Sequence, residues 1–241
     1  MRISIIVPAF NEERLLAASL DGIQQAAAAF VEHGWEVELI VCDNNSTDAT
    51  AEIARSAGAK VVFEPINQIA RARNAGAAAA TGAWLVFVDA DSVPSQALFA
   101  ETAGCILAGR TIAGGSTIQM NAPTLAAKLV VRGWNLLSRS ARLLAGSFIF
   151  VEAKAFREIG GFSDDWFAAE EIDLSRRLKK WARGTGSKLV ILHRNPLTTS
   201  ARKVHLYTPG ETLRMLLRAV LTGGRSLRKR ESTHLWYDGR R

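Results

Sequence analysis

The chain has 241 residues, of which 48% are hydrophobic, so it is long enough to bury one substantial core. Its two cysteines, Cys42 and Cys105, are far apart and belong to no Cys-x-x-C or Cys/His cluster, which argues against a disulfide framework and a structural zinc site. The formal net charge of +7 arises at the end of the chain, because residues 1–200 hold 20 basic and 20 acidic side chains whereas residues 201–241 hold 10 and 3.

The chain starts with a strand-like apolar run instead of the basic and apolar regions of a signal peptide. Its longest apolar stretch, at about 125–151, is interrupted by Lys128, Arg132, Arg139 and Arg142 and therefore predicts no membrane span. We expect a cytoplasmic protein that is either soluble or peripheral at the inner face of a membrane.

Strand and helix patterns alternate along the first half of the chain. Strands are predicted at 3–7, 37–42, 60–63 and 83–88, and the helices between them at 11–34 with Asn11 as cap, 46–56 with Ser46 as cap, and 70–80. This alternation predicts an α/β fold with a parallel, doubly wound sheet and helices on both faces. The second half is less regular, with strands expected near 112–118, 147–151 and 189–192 and a helix at about 169–183, so we expect a mixed extension of the sheet.

The basic segment 201–241 contains an amphipathic helical pattern at 213–221, followed by a cluster of Arg and Lys. Two interpretations stay open: a C-terminal helix packed on the core with a solvated tail, or a surface that contacts an anionic membrane. Nucleic acid is not expected as a partner, because the tail lacks the interleaved aromatic side chains on which bases stack. We therefore divide the chain into an α/β domain at 1–200 and a basic helix and tail at 201–241.

Acidic side chains lie just beyond three of the predicted strands. The apolar run 84–88 stops on Asp89 and Asp91, while Glu12 and Asp43 come after the first and second strands. Ligands collect at the carboxyl ends of parallel strands, and two carboxylates two residues apart suit Mg²⁺ or Mn²⁺ holding a diphosphate. Each residue also has a local alternative: Asp91 or Ser92 would cap the next helix, and Asp43 would hydrogen-bond its own turn.

Six short motifs occur along residues 3–195 in an order that resembles the family 2 glycosyltransferases with the GT-A fold. They are Ile5–Glu13, Val41–Asp48, Ala72–Gly76, Phe87–Asp91, Gly160–Phe162 and Glu170–Leu174. The resemblance implies a GT-A type sheet, whose carboxyl edge binds a nucleotide-diphosphate sugar. It also implies a metal-dependent, inverting transfer of one sugar, with UDP as the expected nucleotide, to a hydroxyl of a small-molecule or lipid-linked acceptor.

The same resemblance implies the residues that hold the donor. Those expected at the nucleotide are Pro8, Ala9, Glu12, Asp43, Arg73, Asp89 and Arg202. Asp91 is expected to coordinate Mn²⁺ or Mg²⁺ directly, with His193, predicted to follow a strand, as a further ligand. Arg73 has the simpler alternative of a surface helix charge, and His193 that of a hydrogen-bonded strand end.

Glu171 is the expected general base of the transfer. It continues an apolar helical stripe with Leu174 and Leu178, so its carboxylate can face inward. The resembled family usually has Asp here, and the extra methylene of Glu changes the distance to the acceptor; the alternative is a glutamate favoured by the helix dipole. The residues expected to line the acceptor pocket are Gly161, Trp166 and Glu170.

Some missing motifs narrow the function. No Gln-x-x-Arg-Trp motif follows the acidic helix, so a processive polysaccharide synthase is not expected. No glycine-rich loop follows the first strand, which argues against a nucleotidyltransferase and a dinucleotide dehydrogenase. The remaining alternative is a non-catalytic protein that binds sugar nucleotides or a membrane surface.

Overall fold

The computed structural model of the protein describes residues 1–120, 125–200, 222, 225–228 and 231. In this part of the chain the strands are β1 (Arg2–Ala9), β2 (Glu36–Asp43), β3 (Lys60–Phe63), β4 (Trp84–Val88), β5 (Ser92–Val93), β6 (Thr111–Gln119), β7 (Phe148–Glu152) and β8 (Lys188–Thr199). The helices are α1 (Leu16–Val31), α2 (Thr50–Ser56), α3 (Ile69–Ala78), α4 (Gln96–Leu107), α5 (Leu125–Ala141), α6 (Ala153–Glu158) and α7 (Glu170–Thr185), and Arg225–Arg228 forms a 3₁₀ turn.

The described strands form one sheet in the order β3-β2-β1-β4-β7-β6-β8-β5. The first four strands are parallel, β7 is antiparallel to both β4 and β6, β8 is parallel to β6, and β5 is antiparallel to β8. The predicted mostly parallel α/β fold with a mixed extension is therefore confirmed. Because β1, β2 and β4 run in the same direction, the loops that follow them meet at one edge of the sheet.

The central strands of the sheet are buried on both faces, and β4 shows why. All five of its side chains are buried. Trp84, Val86 and Val88 join the core cluster under α1 and α4, whereas Leu85 and Phe87 join the cluster under α3, α6 and α7. Successive side chains of a strand point to opposite faces, so a continuous apolar run is what a doubly covered strand requires.

The two helix caps that were predicted after β1 and β2 are wrong. Asn11 has a φ of 52°, and α1 starts only at Leu16. The Asn11 side chain accepts a hydrogen bond from the Thr47 N–H (2.8 Å), and the Asn11 N–H donates to Ser46 Oγ (3.0 Å). These polar groups bond across the two loops instead of capping their own helices, which ties the loops together.

Two further boundaries differ from expectation. Ser92 belongs to β5, and the cap of α4 is Ser95, whose side chain accepts a hydrogen bond from the Leu98 N–H (3.1 Å). The last strand does not end near residue 192 but continues to Thr199, with a shift in its register against β6. His193 therefore lies inside a strand rather than after one.

In the described residues, no helix is long and apolar enough to cross a membrane. Arg202 and the predicted helix at 213–221 lie outside the residues that the structure describes. The division of the chain at residue 200 stays a prediction.

Candidate functional site

The loops after β1 and β2 lie side by side at the carboxyl edge of the sheet. Pro8 and Ala9 end β1 and pair with Cys42 and Asp43 at the end of β2. Asp43 is buried, and its Oδ1 accepts a hydrogen bond from the Ser46 N–H (2.9 Å). The turn bond that was the alternative for Asp43 is thus present, and it leaves the second carboxylate oxygen for another donor.

Glu12 lies in the first of these two loops. It is buried, and its N–H donates to Thr50 Oγ1 (2.8 Å) at the start of α2. Asp48 accepts hydrogen bonds from Thr50 and from the Glu13 N–H. Although partial burial opposes its ionisation, these bonds lower the pKa of Asp48 below its ordinary value. The bonds hold Glu12 and the start of α2 in one arrangement.

Arg73, on α3, is the centre of the site. Its side chain is 1% exposed. Nη1 donates to the Glu170 carboxylate, Nη2 donates to Asp89 Oδ1 (2.9 Å) and to the Gly146 carbonyl (2.9 Å), and the guanidinium lies 5.2 Å from the centroid of the Phe162 ring. The alternative of a surface helix charge is therefore wrong for Arg73. One buried cation connects the loop after β4 to the start of α7.

The charges around Arg73 perturb the neighbouring carboxyl group of Glu171. Burial raises the pKa of Glu171 to about 8, and the charge of Glu170 adds to this, whereas Arg73 opposes it. Burial also disfavours the charged form of Arg73, but the carboxylates of Asp89, Glu170 and Glu171 raise its pKa overall. A carboxyl group whose pKa lies near neutral pH is suited to take up and release a proton.

Gly146 is a part of this cluster that the sequence reasoning missed. A Cβ at this position would lie 3.1 Å from Arg73 Nη2 and 3.7 Å from Glu171 Cδ. Its carbonyl also accepts one of the Arg73 hydrogen bonds. A glycine just before a strand is the only sequence signal, and it does not distinguish this close approach from an ordinary turn.

Asp89 and Asp91 follow β4, as predicted. The Asp89 N–H donates to the Ser147 carbonyl (3.2 Å), and its carboxylate is held by Arg73. Asp91 is fixed by the short ladder of β5 with β8, where its carbonyl accepts a hydrogen bond from the Ser200 N–H (3.1 Å). The Asp89 carboxylate is thus held by Arg73, whereas the main chain of Asp91 is held by β8 and its Oδ1 accepts a hydrogen bond from Ser92 Oγ (3.4 Å).

The structure does not bring His193 to these aspartates. Its side chain is exposed, and β8 meets the segment after β4 at Thr199, which pairs with Ser92 six residues beyond His193, or roughly 20 Å along the strand. Within the described ranges, no three His, Cys, Asp or Glu side chains are grouped closely enough to hold a metal ion. A cation here would depend on Asp91, with or without Asp89, and on oxygens of a bound diphosphate. That donor set fits Mg²⁺ or Mn²⁺, which need only one or two carboxylates when a phosphate supplies further ligands.

The residues predicted for the acceptor side have structural partners of their own. Gly161 has a φ of 67°, and a Cβ on it would lie 2.7 Å from Asn74 Oδ1. The Asn74 side chain accepts a hydrogen bond from the Phe162 N–H (2.9 Å) and donates one to the Phe162 carbonyl (2.8 Å). The carboxylate of Glu170 is held by Arg73. Gly161 and Glu170 thus position the loop before α7.

Trp166 lies in the same loop and is partly exposed. The Arg228 guanidinium lies 4.6 Å from the centroid of the Trp166 ring. The Trp166 carbonyl accepts a hydrogen bond from Gln68 Nε2 (3.0 Å). Gln68 also donates to the Asp164 carbonyl (2.7 Å). The loop that carries Trp166 is thus joined to the start of α3.

Comparisons with known proteins agree with this arrangement. The family model described as Glycosyl transferase family 2 matches residues 4–159. An uncharacterized glycosyltransferase of Mycobacterium tuberculosis (strain ATCC 25618 / H37Rv) is 38% identical over 89 residues, which are 37% of this chain and 36% of that protein. The matched part therefore spans just over a third of the length of this curated relative.

Solved structures share the fold. The mannosyltransferase PcManGT from Pyrobaculum calidifontis, in complex with GDP-Man and Mn²⁺, has a TM-score of 0.68 at 18% identity, with 94% of this chain and 62% of that chain covered. Glucosyl-3-phosphoglycerate synthase from Mycobacterium tuberculosis, in complex with Mn²⁺, UDP and glucosyl-3-phosphoglycerate, has a TM-score of 0.59 at 22% identity, with 91% and 77% covered. At these identities the likeness shows the fold alone.

Proposed function

Because the chain belongs to glycosyl transferase family 2, we propose that it moves one sugar from a nucleotide-diphosphate sugar to an acceptor hydroxyl in a single inverting displacement, with Glu171 as the general base. The observation that carries this proposal is the buried Arg73, which joins Asp89 to Glu170 and lies beside Glu171. It holds a donor-side carboxylate and the candidate base in one cluster.

The donor contacts follow from the loops after β1, β2 and β4. Pro8, Ala9 and Glu12 line the base and ribose, and the second oxygen of Asp43 accepts a hydrogen bond from the base. Asp89, oriented by Arg73, contacts the ribose. The base is uracil in this proposal, which is consistent with the UDP bound to one structural neighbour. Another neighbour binds GDP-Man, so a guanine nucleotide is tested beside the uridine nucleotide.

Asp91 would hold Mn²⁺ or Mg²⁺ together with the donor diphosphate. A bound divalent cation would neutralise the negative charge that grows on the departing nucleoside diphosphate. Arg202 is proposed as a second contact of the diphosphate, although it lies outside the described residues.

Glu171 is proposed to remove the proton of the acceptor hydroxyl as that oxygen attacks the anomeric carbon. Partial burial and the nearby charge of Glu170 raise its pKa, which makes the carboxylate a stronger base than an exposed glutamate would be. Arg73 binds both Asp89 and Glu170, and it therefore holds the start of α7 at a fixed position relative to Asp89. The base and the donor then do not have to be brought together during the reaction. We propose a small-molecule or lipid-linked acceptor that enters beside the loop carrying Trp166.

Calorimetric titration with UDP and GDP, with and without Mn²⁺, tests the donor site. We expect one nucleotide to bind in a metal-dependent manner and Asp91→Asn to weaken the metal-dependent part of that binding. Glu171→Gln should keep nucleotide binding and lose sugar transfer from a panel of labelled nucleotide sugars. Asp173→Asn is the matched control, because Asp173 lies in the same helical turn and its carboxylate pairs with Arg177 instead of Arg73. Nucleotide binding without turnover of any donor would favour a non-catalytic binding protein.

A further inference from the structure

Helix α5 exposes an apolar surface that the described fold does not cover. Five of its large apolar side chains are between 51% and 72% exposed, and they make up nearly half of the large exposed apolar side chains in the described part of the chain. We call them the α5 apolar face: Leu125, Leu129, Val130, Leu136 and Leu137. A contiguous exposed apolar surface of this kind marks a place of interaction in a folded protein.

A row of cations runs along one side of this face. Lys128, Arg132 and Arg139 are exposed, and each follows a leucine of the α5 apolar face by three residues. Because residues three apart are neighbours on a helix, the cation row lies parallel to the leucine row. The sequence between Glu101 and Glu152 contains no Asp or Glu. The helix is therefore purely cationic next to its apolar face.

The opposite side of α5 is held firmly to the domain. Asn135 accepts a hydrogen bond from the Ile118 N–H (3.0 Å) and donates to the Ile118 carbonyl (2.8 Å). Ser138 is fully buried and donates to the Leu143 carbonyl (2.6 Å), and Lys179 on α7 donates to the Ala141 carbonyl. These contacts fix the rotation of the helix, so the apolar face points outward as part of the fold.

The position of α5 relates it to the candidate site. It connects β6 to β7 at the sheet edge where Asp89 lies, because β6 and β4 are both antiparallel to β7. Gly146, whose carbonyl accepts from Arg73, comes five residues after the end of α5. The α5 apolar face is thus on the same side of the molecule as the loops that are proposed to bind donor and acceptor.

We propose that α5 docks the protein on the surface of an anionic lipid bilayer, with its leucines among the acyl chains and its cation row at the headgroup phosphates. Anionic lipid complements both features of the helix. A second copy of the chain would match the apolar face but would place two cation rows near each other across a symmetric interface. The docking does not depend on the proposed function; only a lipid-linked acceptor would connect the two.

Sedimentation of the full chain with vesicles tests this proposal. We expect binding to phosphatidylcholine vesicles that contain phosphatidylglycerol, weaker binding to phosphatidylcholine alone, and loss of binding at high salt. The double variant Leu129→Gln/Leu136→Gln should weaken binding about tenfold or more, since two leucines no longer enter the bilayer. The triple variant Lys128→Gln/Arg132→Gln/Arg139→Gln should weaken vesicle binding by about fivefold for each cation that is removed.

Leu107→Gln is the matched control, because Leu107 is 59% exposed on α4, much like Leu129 at 56% on α5. It should bind vesicles as the wild type does. Unchanged nucleotide binding and thermal unfolding of the α5 variants keep a failure of docking distinct from a failure of folding or of the proposed function. The proposal is overturned if the wild type does not bind anionic vesicles or if the leucine variant binds them equally well. A concentration-dependent dimer without vesicle binding, lost in the leucine variant, would assign the face to a second copy instead.

Discussion

Arg73 and Glu170 form a buried ion pair between α3 and the first residue of α7, although they are 97 residues apart in the sequence. The pair joins the parallel half of the sheet, against which α3 packs, to the helix that carries Glu171. Asp89 shares the same guanidinium, so three separate segments of the chain meet at one cation. The family motifs that contain these residues are thus parts of one physical cluster.

Removal of the Arg73 charge should destabilise the fold strongly. Arg73→Met leaves Glu170 and Asp89 without their cation in a buried place, which we expect to lower the free energy of unfolding by about 3–5 kcal/mol. Urea unfolding followed by circular dichroism measures this. Arg71→Met is the matched control on the same helix, because Arg71 also pairs with two acids, Glu64 and Asp164, but is 33% exposed. Arg71→Met should lower the free energy of unfolding by less than about 1 kcal/mol. An equal decrease for Arg73→Met and Arg71→Met would contradict a special role for the buried cation.

The pH dependence of sugar transfer should report the carboxyl group of Glu171, a residue that is partly buried. Burial raises its pKa to about 8, so a base at this position is mostly protonated at neutral pH, and kcat/KM should rise with pH and level off above about 8. The same shift has a linked effect on stability. Because the folded pKa lies above that of an unfolded glutamate, the folded state gains from holding this proton at acidic pH and loses that gain as the pH rises through 8.

Pre-steady-state or steady-state rates between pH 5.5 and 9.5 would measure that profile in the wild type and in Asp173→Asn. The control should keep the wild-type midpoint, since Asp173 faces Arg177. A profile that is flat across this range would argue against Glu171 as the base.

Gly161→Ala should be more destabilising than Gly160→Ala. Both glycines have positive φ angles, 67° and 79°, so an alanine is strained at either position by about 1 kcal/mol. At Gly161 the new Cβ would also lie 2.7 Å from Asn74 Oδ1, whereas at Gly160 nothing lies within 4 Å. We expect an additional loss of about 1–2 kcal/mol for Gly161→Ala in thermal or urea unfolding. Equal losses would mean that the loop moves away from Asn74 freely.

The sequence predicted the elements that are set by local pattern. The period of apolar residues located β1 to β4 and α7, and the polar residues after β1, β2 and β4 do meet at one edge. What it could not predict depends on contacts between distant segments. The burial of Arg73 requires Glu170, Asp89 and Gly146 to be near one another, and nothing in the helical pattern of α3 indicates those neighbours.

The strand that contains His193 shows the same limit. Its apolar residues end at Leu192, so the pattern predicts a strand end there, and a polar residue at a strand end was expected to reach the site. The chain continues as a strand because 197–199 pair with the distant β5 and β6 after a register shift. Pairing of this kind is set by partner strands and not by the local alternation of side chains.

The placement of His193 leads to a prediction about the metal. Because His193 is exposed and lies six residues before the Thr199 that pairs with Ser92, His193→Ala should leave Mn²⁺-dependent nucleotide binding unchanged, within about twofold of the wild type. Asp91→Asn removes the carboxylate that follows β4 and should weaken the metal-dependent part of binding by at least about tenfold. Calorimetry with Mn²⁺, and again after its removal by a chelator, compares the two variants. A loss of metal dependence in His193→Ala would mean that the His193 part of β8 moves toward Asp91 when the nucleotide binds, and it would support the ligand role that the sequence predicted.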